Sequence, residues 1–251
     1  MAQARGGKTG GAGKASRGSR PKSTRAGAGT GAKGKNTANA KKKPAVVPTV
    51  AASPEAPRTF RLGVIHGATP GKWIDAWKDR MPHVRIEVVP ISVAGQRAAL
   101  DDLDAALVRL PVAGDDISAI PLYDELPVVV MSSESNLTVA AELTGDDLTG
   151  EIVIVPRDDV LGPIEIPGSV SPAFEAPADT EEAIKTVAAG VGVVIVPMSL
   201  ARLYQRKDLA RRPFAGGPTS SVALAWIEAR TTDDVETFVG IVRGRTANSS
   251  R

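Results

Sequence analysis

An α/β fold with a parallel sheet, preceded by a disordered basic tail, is the class this sequence predicts, on three observations. From Arg58 onward, short apolar runs bounded by turn residues alternate with segments of helical period. Several runs are continuously apolar, as strands covered on both faces by helices require. Residues 1 to 54, by contrast, hold no aromatic residue and almost no large aliphatic before Val46 and Val47. They carry 12 of the 31 basic residues and none of the 28 acidic ones.

Such a composition cannot bury a core, so residues 1–57 are expected to be a disordered Lys/Arg/Gly/Ala-rich tail. Beyond Pro54 there remain 19 basic against 28 acidic residues, and the formal net charge of +3 hides a +12 arm joined to a −9 globule. Lys14, Arg17, Arg20, Lys22, Arg25, Lys33, Lys35, Lys41, Lys42 and Lys43 are candidate contacts to DNA or RNA. A Lys or Arg held at a phosphate releases a condensed counterion, which gives strong binding that is blind to sequence. A solubilising extension without a partner has the same composition.

Other classes are excluded. No run of 18 apolar residues exists and the N-terminus lacks the apolar core of a secretory signal, so neither a membrane partner nor export is expected, and the location predicted is cytoplasmic. With no Cys and only His66 and His83, disulfides, thiolate nucleophiles and ordinary zinc sites drop out. No metal and no cofactor are expected.

The elements follow in order. Phe60-Arg61-Leu62-Gly63-Val64-Ile65 reads as a first strand, and Thr69-Pro70 as the N-cap and first position of a helix with Trp73, Ile74 and Trp77 on one face. Ile86–Ile91 is the next strand, a short helix carries Gln96 and Leu100 between about Val93 and Asp101, and Leu103–Val108 is a third strand. After the run Leu122-Tyr123-Asp124-Glu125-Leu126-Pro127-Val128-Val129-Val130 the pattern repeats on a smaller scale. Glu151–Val155 follows as a strand, Asp179-Thr180-Glu181-Glu182 as a capping box opening a helix that Gly190 ends, and Val193–Val196 as a buried strand. A helix from Ser199 to Gln205, an Arg- and Gly-rich connection over 206–221, a strand from Ser221 to Ile227 and a last helix burying Val235, Phe238, Val239 and Val242 complete the chain.

Enzyme signatures fail for want of residues. Gly190-Val191-Gly192 begins like a dinucleotide loop, but Ile195 stands where a third glycine belongs, and the pair ends a helix instead of opening one. No Gly-x-Ser-x-Gly elbow and no Walker lysine motif occurs, and Ser169, Ser171 and Ser199 have no histidine close in sequence. No catalytic residue is expected. Asp101, Asp102 and Asp104 read as a solvated turn, and Trp73 and Trp77 as core.

Three features point to binding. His66 lies where the first strand meets the first helix, a place that lines a pocket or holds a structural hydrogen bond. The helix start at Thr69-Pro70 offers unpaired N–H groups to an anion, unless Thr69 only caps its own helix. Arg109 ends a strand just before Pro111, where ligands bind in open α/β sheets, as a carboxylate fork or as a structural salt bridge.

Four pieces then carry a resemblance. They are Arg61-Leu62-Gly63-Val64; Gln96 with Ala99-Leu100 and Leu103-Asp104-Ala105-Ala106; Pro121-Leu122-Tyr123-Asp124-Glu125; and Val187-Ala188-Ala189-Gly190-Val191-Gly192 with Val196-Pro197. In this order and spacing, residues 58 to 244 resemble the effector-binding (substrate-binding) domain of LysR-type transcription regulators, here standing alone without the helix-turn-helix. The resemblance implies a type 2 periplasmic-binding-protein-like fold, two α/β lobes with a cleft. It places the domain at 58–245, with lobe one at 58–126 and 213–251, lobe two at 127–212 and a C-terminal tail at 246–251. It also implies that His66, Gly67, Thr69, Ser92, Val93, Gln96, Arg109, Pro156 and Arg157 line the cleft. Family members present a hydroxyl at the second of these loops, and the register puts either Ser92 or Val93 there. Between Asp158 and Pro177, where the family has a helix, Pro163, Pro167, Gly168, Pro172 and Pro177 forbid one.

The function expected is a non-enzymatic regulatory domain that binds a small-molecule effector, an anionic metabolite such as a carboxylate, with the tail contacting nucleic acid. A homodimer is left open. The rivals are a nucleoid- or RNA-associated interaction protein with a vestigial pocket and a cytoplasm-retained solute-binding protein.

Overall fold

The computed structural model describes residues 57–244; the expectations for the basic tail and for 246–251 lie outside them. The chain runs β1 (Arg58–Ile65), α1 (Gly71–Arg80), β2 (Val84–Ile91), α2 (Gln96–Ala99), β3 (Ala105–Arg109), β4 (Ile117–Glu125), β5 (Pro127–Ser132), β6 (Val153–Ile154), α3 (Thr180–Ala188), β7 (Val193–Pro197), α4 (Met198–Leu203), β8 (Leu209–Pro213), β9 (Ser220–Ile227) and α5 (Asp233–Val242). Two sheets result: a five-stranded one ordered β2-β1-β3-β9-β4 in lobe one, and a four-stranded one ordered β6-β7-β5-β8 in lobe two.

The sheets are mixed, which corrects the parallel expectation. β1 pairs in parallel with β2 and β3, but β9 is antiparallel to β3 and β4. The cause is the connection. β4 leaves lobe one for lobe two and β9 returns from it, so the returning strand runs against its neighbours. In lobe two the strand that enters, β5, is likewise antiparallel to β7 and β8.

Both faces of the first sheet are covered. On one, Phe60, Leu62, Leu107 and Leu224 pack against Trp77 of α1 and Phe238 of α5. The Phe60 and Trp77 ring centroids lie 4.6 Å apart, and the Trp77 indole N–H donates to the Val84 carbonyl at 3.0 Å, so the buried ring leaves no polar group unpaired. On the other, Ile65, Leu100, Leu103, Val108 and Val222 cluster. Gly63 is required between them: a Cβ there would lie 2.6 Å from Leu103 Cδ1 and 2.8 Å from the Ala106 Cβ. Asp104 accepts from the Arg61 N–H at 2.6 Å, tying the turn before β3 to β1.

In lobe two, Asp179 caps α3 by accepting from Glu182 N at 2.8 Å, while the Glu182 carboxylate accepts from Ala178 N at 2.6 Å, one residue earlier than a strict capping box. The proline-rich segment contains no helix; its Val170 N–H donates to the Glu151 carbonyl, and Leu161 and Ile166 are buried against β5 and β7.

Several boundaries differ from expectation. The helix over 93–101 shrinks to α2, and the strand over 151–155 to the two residues of β6. The run from Leu122 to Val130 is two strands, broken at Leu126 where the chain crosses between lobes, and the connection over 206–221 contains β8. The helix expected over 199–205 is α4, ending at Leu203. Thr69 is not the cap of α1: that position is Pro70, with no side-chain hydrogen bond, because Pro70 already sits near helical φ.

Candidate functional site

The carboxyl ends of β1 and β4 in lobe one face α4 in lobe two. Their contact is close because Gly67, at φ 86°, carries no side chain: a Cβ would stand 2.6 Å from the Ser199 Oγ. Beside this contact opens a cleft of about 660 Å³, walled by Gly67, Ala68 and Thr69, by Tyr123 to Leu126, and by Met198, Ser199, Arg202 and Leu203.

At its base lies a polar cluster. Arg109 is only 3% exposed, and its Nη1 donates to Glu125 Oε2 at 3.0 Å and to Ser220 Oγ at 2.7 Å, while its Nη2 donates to Ser199 Oγ at 3.1 Å. Ser199 in turn donates to Glu125 Oε2 at 2.7 Å. Arg109 Nε is a buried donor without a hydrogen-bond acceptor. Of the two readings the sequence left open for Arg109, the salt bridge is the one this geometry holds. Its charge is matched by Glu125, and it does not line the cleft.

Gln96 is committed to the same strand. Its Nε2 donates to the Arg109 carbonyl at 2.7 Å and its Oε1 accepts from the Arg109 N–H at 2.9 Å, so both ends of the amide serve the backbone. Gln96 is thereby a buried brace between α2 and β3, and it does not line the cleft.

The sequence candidates therefore divide. Gly67 and Thr69 line the cleft. His66 is exposed and outside it. Ser92 is exposed and accepts from Gly95 N at 3.1 Å, while Val93 packs against the lobe-one core, so neither presents a group to the cleft. Pro156 is buried beside a separate cavity of about 30 Å³. Arg157 is exposed, pairs with Glu175 at 3.3 Å and borders another depression of about 240 Å³. In this structure the candidates that border a cavity fall on three separate ones. Turns and ion pairs local to each loop take up their polar groups.

Residues the sequence reading passed over complete the walls. Ser199 lies two residues after the Val196-Pro197 piece and was weighed only as a nucleophile, and Tyr123 sits within the crossing piece; both signals were in view. Burial, and then the nearby Glu125 charge, push the Tyr123 phenol up, so its hydroxyl stays protonated and able to donate. Among the described residues, no group of three or more His, Asp or Glu is placed to hold a metal ion, and no helix is long and apolar enough to cross a membrane.

With this geometry in hand, comparison with known proteins is direct. A family model described as the LysR substrate binding domain matches residues 54–247. The Hca operon transcriptional activator HcaR of Escherichia coli (strain K12) is 27% identical over 194 residues, covering 70% of this chain. The chain spans 63% of that relative's length. Among solved structures, the reduced OxyR regulatory domain from Pseudomonas aeruginosa matches with a TM-score of 0.56 and 21% identity, over 74% of this chain and 95% of the other. The BenM effector binding domain with its effector benzoate matches with a TM-score of 0.60 and 19% identity, over 74% and 91%.

Proposed function

The chain belongs to the LysR substrate binding domain family, and on that premise we propose that it is a non-enzymatic regulatory domain of transcription control whose two lobes close on a small anionic metabolite. The observation that carries this reading is the cleft of about 660 Å³ with walls from both lobes. Its size falls within the roughly 300–1,000 Å³ of small-molecule pockets. A ligand touching both walls binds one relative placement of the lobes better than others, which is what a regulatory domain needs.

The test is a thermal-shift screen of the full chain against carboxylates, phosphates, amino acids and sugars. The fold relative solved with benzoate is the reason carboxylates head the panel. A true ligand stabilises the native state by about 2.7 kcal/mol at a hundredfold excess over its dissociation constant. A panel without any shift would favour an interaction protein with a vestigial pocket.

The basic arm supports a second part of the proposal. Its 12 uncompensated positive charges suit nonspecific nucleic-acid contact, with a cytoplasmic site of action and a homodimer as the assembly to test by sedimentation.

A further inference from the structure

We propose that Arg202 of α4 is the residue that holds the ligand's charged group, and that the ligand is a monocarboxylate with an apolar body. This rests on the cleft being the ligand site.

The argument starts from where positive charge is free. Arg109 is neutralised by Glu125. Elsewhere in lobe two, Arg157 pairs with Glu175, Arg206 with Asp208, and Arg212 donates to the Thr138 and Ala140 carbonyls. Arg202 is exposed and, among the described residues, is the one cation lining the cleft; it makes no hydrogen bond or ion pair there. An unpaired guanidinium on the wall of a cavity presents a planar fork of donors that matches a carboxylate. Thr69, on the lobe-one wall, adds an uncommitted hydroxyl.

The acids of the cleft do not cancel this charge. Glu125 already accepts from Arg109 and Ser199. Asp124, which also lines the cleft, accepts from the Ser221 hydroxyl and makes no ion pair with Arg202.

The remaining walls are apolar. Leu126 is 63% exposed and Leu203 52%, unusual for leucines, and Met198 and Ala68 line the cleft with them. Contact with an apolar body would remove these side chains from water. A second carboxylate would find no further cation among the described residues lining the cleft, so the arrangement selects one negative charge.

The experiment is calorimetric titration of the full chain with hexanoate and phenylacetate, each beside its uncharged amide. The variants are R202Q, R202K and Leu203→Glu, which adds a like charge to the groove. Both monocarboxylates should bind the wild type at least about tenfold more tightly than their amides, as expected for hydrogen bonds to a charged group. R202Q should lose that advantage, R202K should keep part of it, and Leu203→Glu should weaken the acids more than the amides. R202Q should melt with the wild type, since Arg202 supports no contact in the free protein. Unchanged affinity in R202Q, or equal binding of acid and amide, overturns the assignment. Binding of a phosphate, sugar or dicarboxylate with neither monocarboxylate overturns it too, while leaving the cleft a ligand site. Absence of binding by every compound, including the broad panel, overturns both.

Discussion

The Ser199 hydroxyl donates to Glu125 across the lobe boundary at 2.7 Å, while also accepting from Arg109 at 3.1 Å. One small side chain thus bonds lobe two to both partners of a buried ion pair in lobe one. The backbone repeats the link nearby, where Met198 N–H donates to the Leu126 carbonyl at 3.1 Å.

Ser199→Ala should therefore cost about 1.5 kcal/mol, the lower range for a hydrogen bond to a charged group. Urea unfolding measures it, and amide exchange in α4 should quicken. Unchanged stability would mean that the hydroxyl link contributes nothing in solution.

Arg109→Ala should cost about 3–5 kcal/mol, because Glu125 would remain charged and buried without its partner. Replacing both residues by Met and Leu should recover most of the loss. A stable Arg109→Ala protein that has lost only ligand binding would return Arg109 to the role of carboxylate fork.

The two glycines of Gly190-Val191-Gly192 should behave differently. A Cβ on Gly190 meets open space, so Gly190→Ala bears mainly the strain of φ 86°, about 1–2 kcal/mol. A Cβ on Gly192 would stand 2.2 Å from the Ile152 carbonyl oxygen, against the parallel pairing of β6 and β7. Gly192→Ala should cost more than 3 kcal/mol or prevent folding, by the sum of strain and overlap (each about 1–3). Equal melting temperatures for the two variants would contradict the placement of β6.

Burial raises the Asp159 carboxyl above the ordinary value, against the pull of backbone N–H donors from Leu161, Gly162 and Val160. The native state then keeps this proton to higher pH than the unfolded chain. Its contribution to stability is full below the ordinary carboxylate pKa and is lost as pH rises through the native one. Asp159→Asn keeps an acceptor but no charge, so its advantage over the wild type should grow across that window and then level off. Melting curves from about pH 3 to about pH 8 test this; an advantage that shrinks as pH rises would refute it.

For the arm, duplex DNA should bind without sequence preference. With about six phosphates neutralised, affinity should fall about a thousandfold between about 50 and 200 mM salt. Changing the ten lysines and arginines between Lys14 and Lys43 to Gln in the full chain should remove it. Retained binding would move the contact to the globule.

The fold was legible where one local rule decides. Phe60 to Ile65 is a strand by its apolar run, and Asp179 opens α3 because a carboxylate accepts the N–H groups of a first turn. β8 was not legible: Leu209-Ala210-Arg211-Arg212-Pro213 lacks an apolar pattern, and becomes a strand by pairing with β5, whose sequence lies some eighty residues earlier. The direction of β9 was hidden for a similar reason, since its residues pack alike either way round and the crossing alone decides.

The site was legible at single positions and not in its partnerships. Arg109 was marked by the strand end it occupies, yet Ser199 is 90 residues away and Ser220 is 111, so spacing gives no hint that they meet. Gln96 looked like a cleft residue because nothing local shows that both ends of its amide go to Arg109. Arg202 resembles any solvated arginine on a short helix until the opposite wall is in place.

One consequence follows from the strand order of lobe one. β9 lies between β3 and β4 and is the last strand in sequence among the described residues. Until Ser220 to Ile227 have left the ribosome, β3 presents an open edge and β4 has no neighbour to join. The intervening lobe must also draw its two ends together before β9 can enter the gap. Completion of the first half thus waits on the second, and the final insertion closes long loops late, a topology that favours slow, ordered assembly. A chain truncated before β9 would expose two unpaired edges, whereas one truncated within α5 would already hold every strand of that sheet.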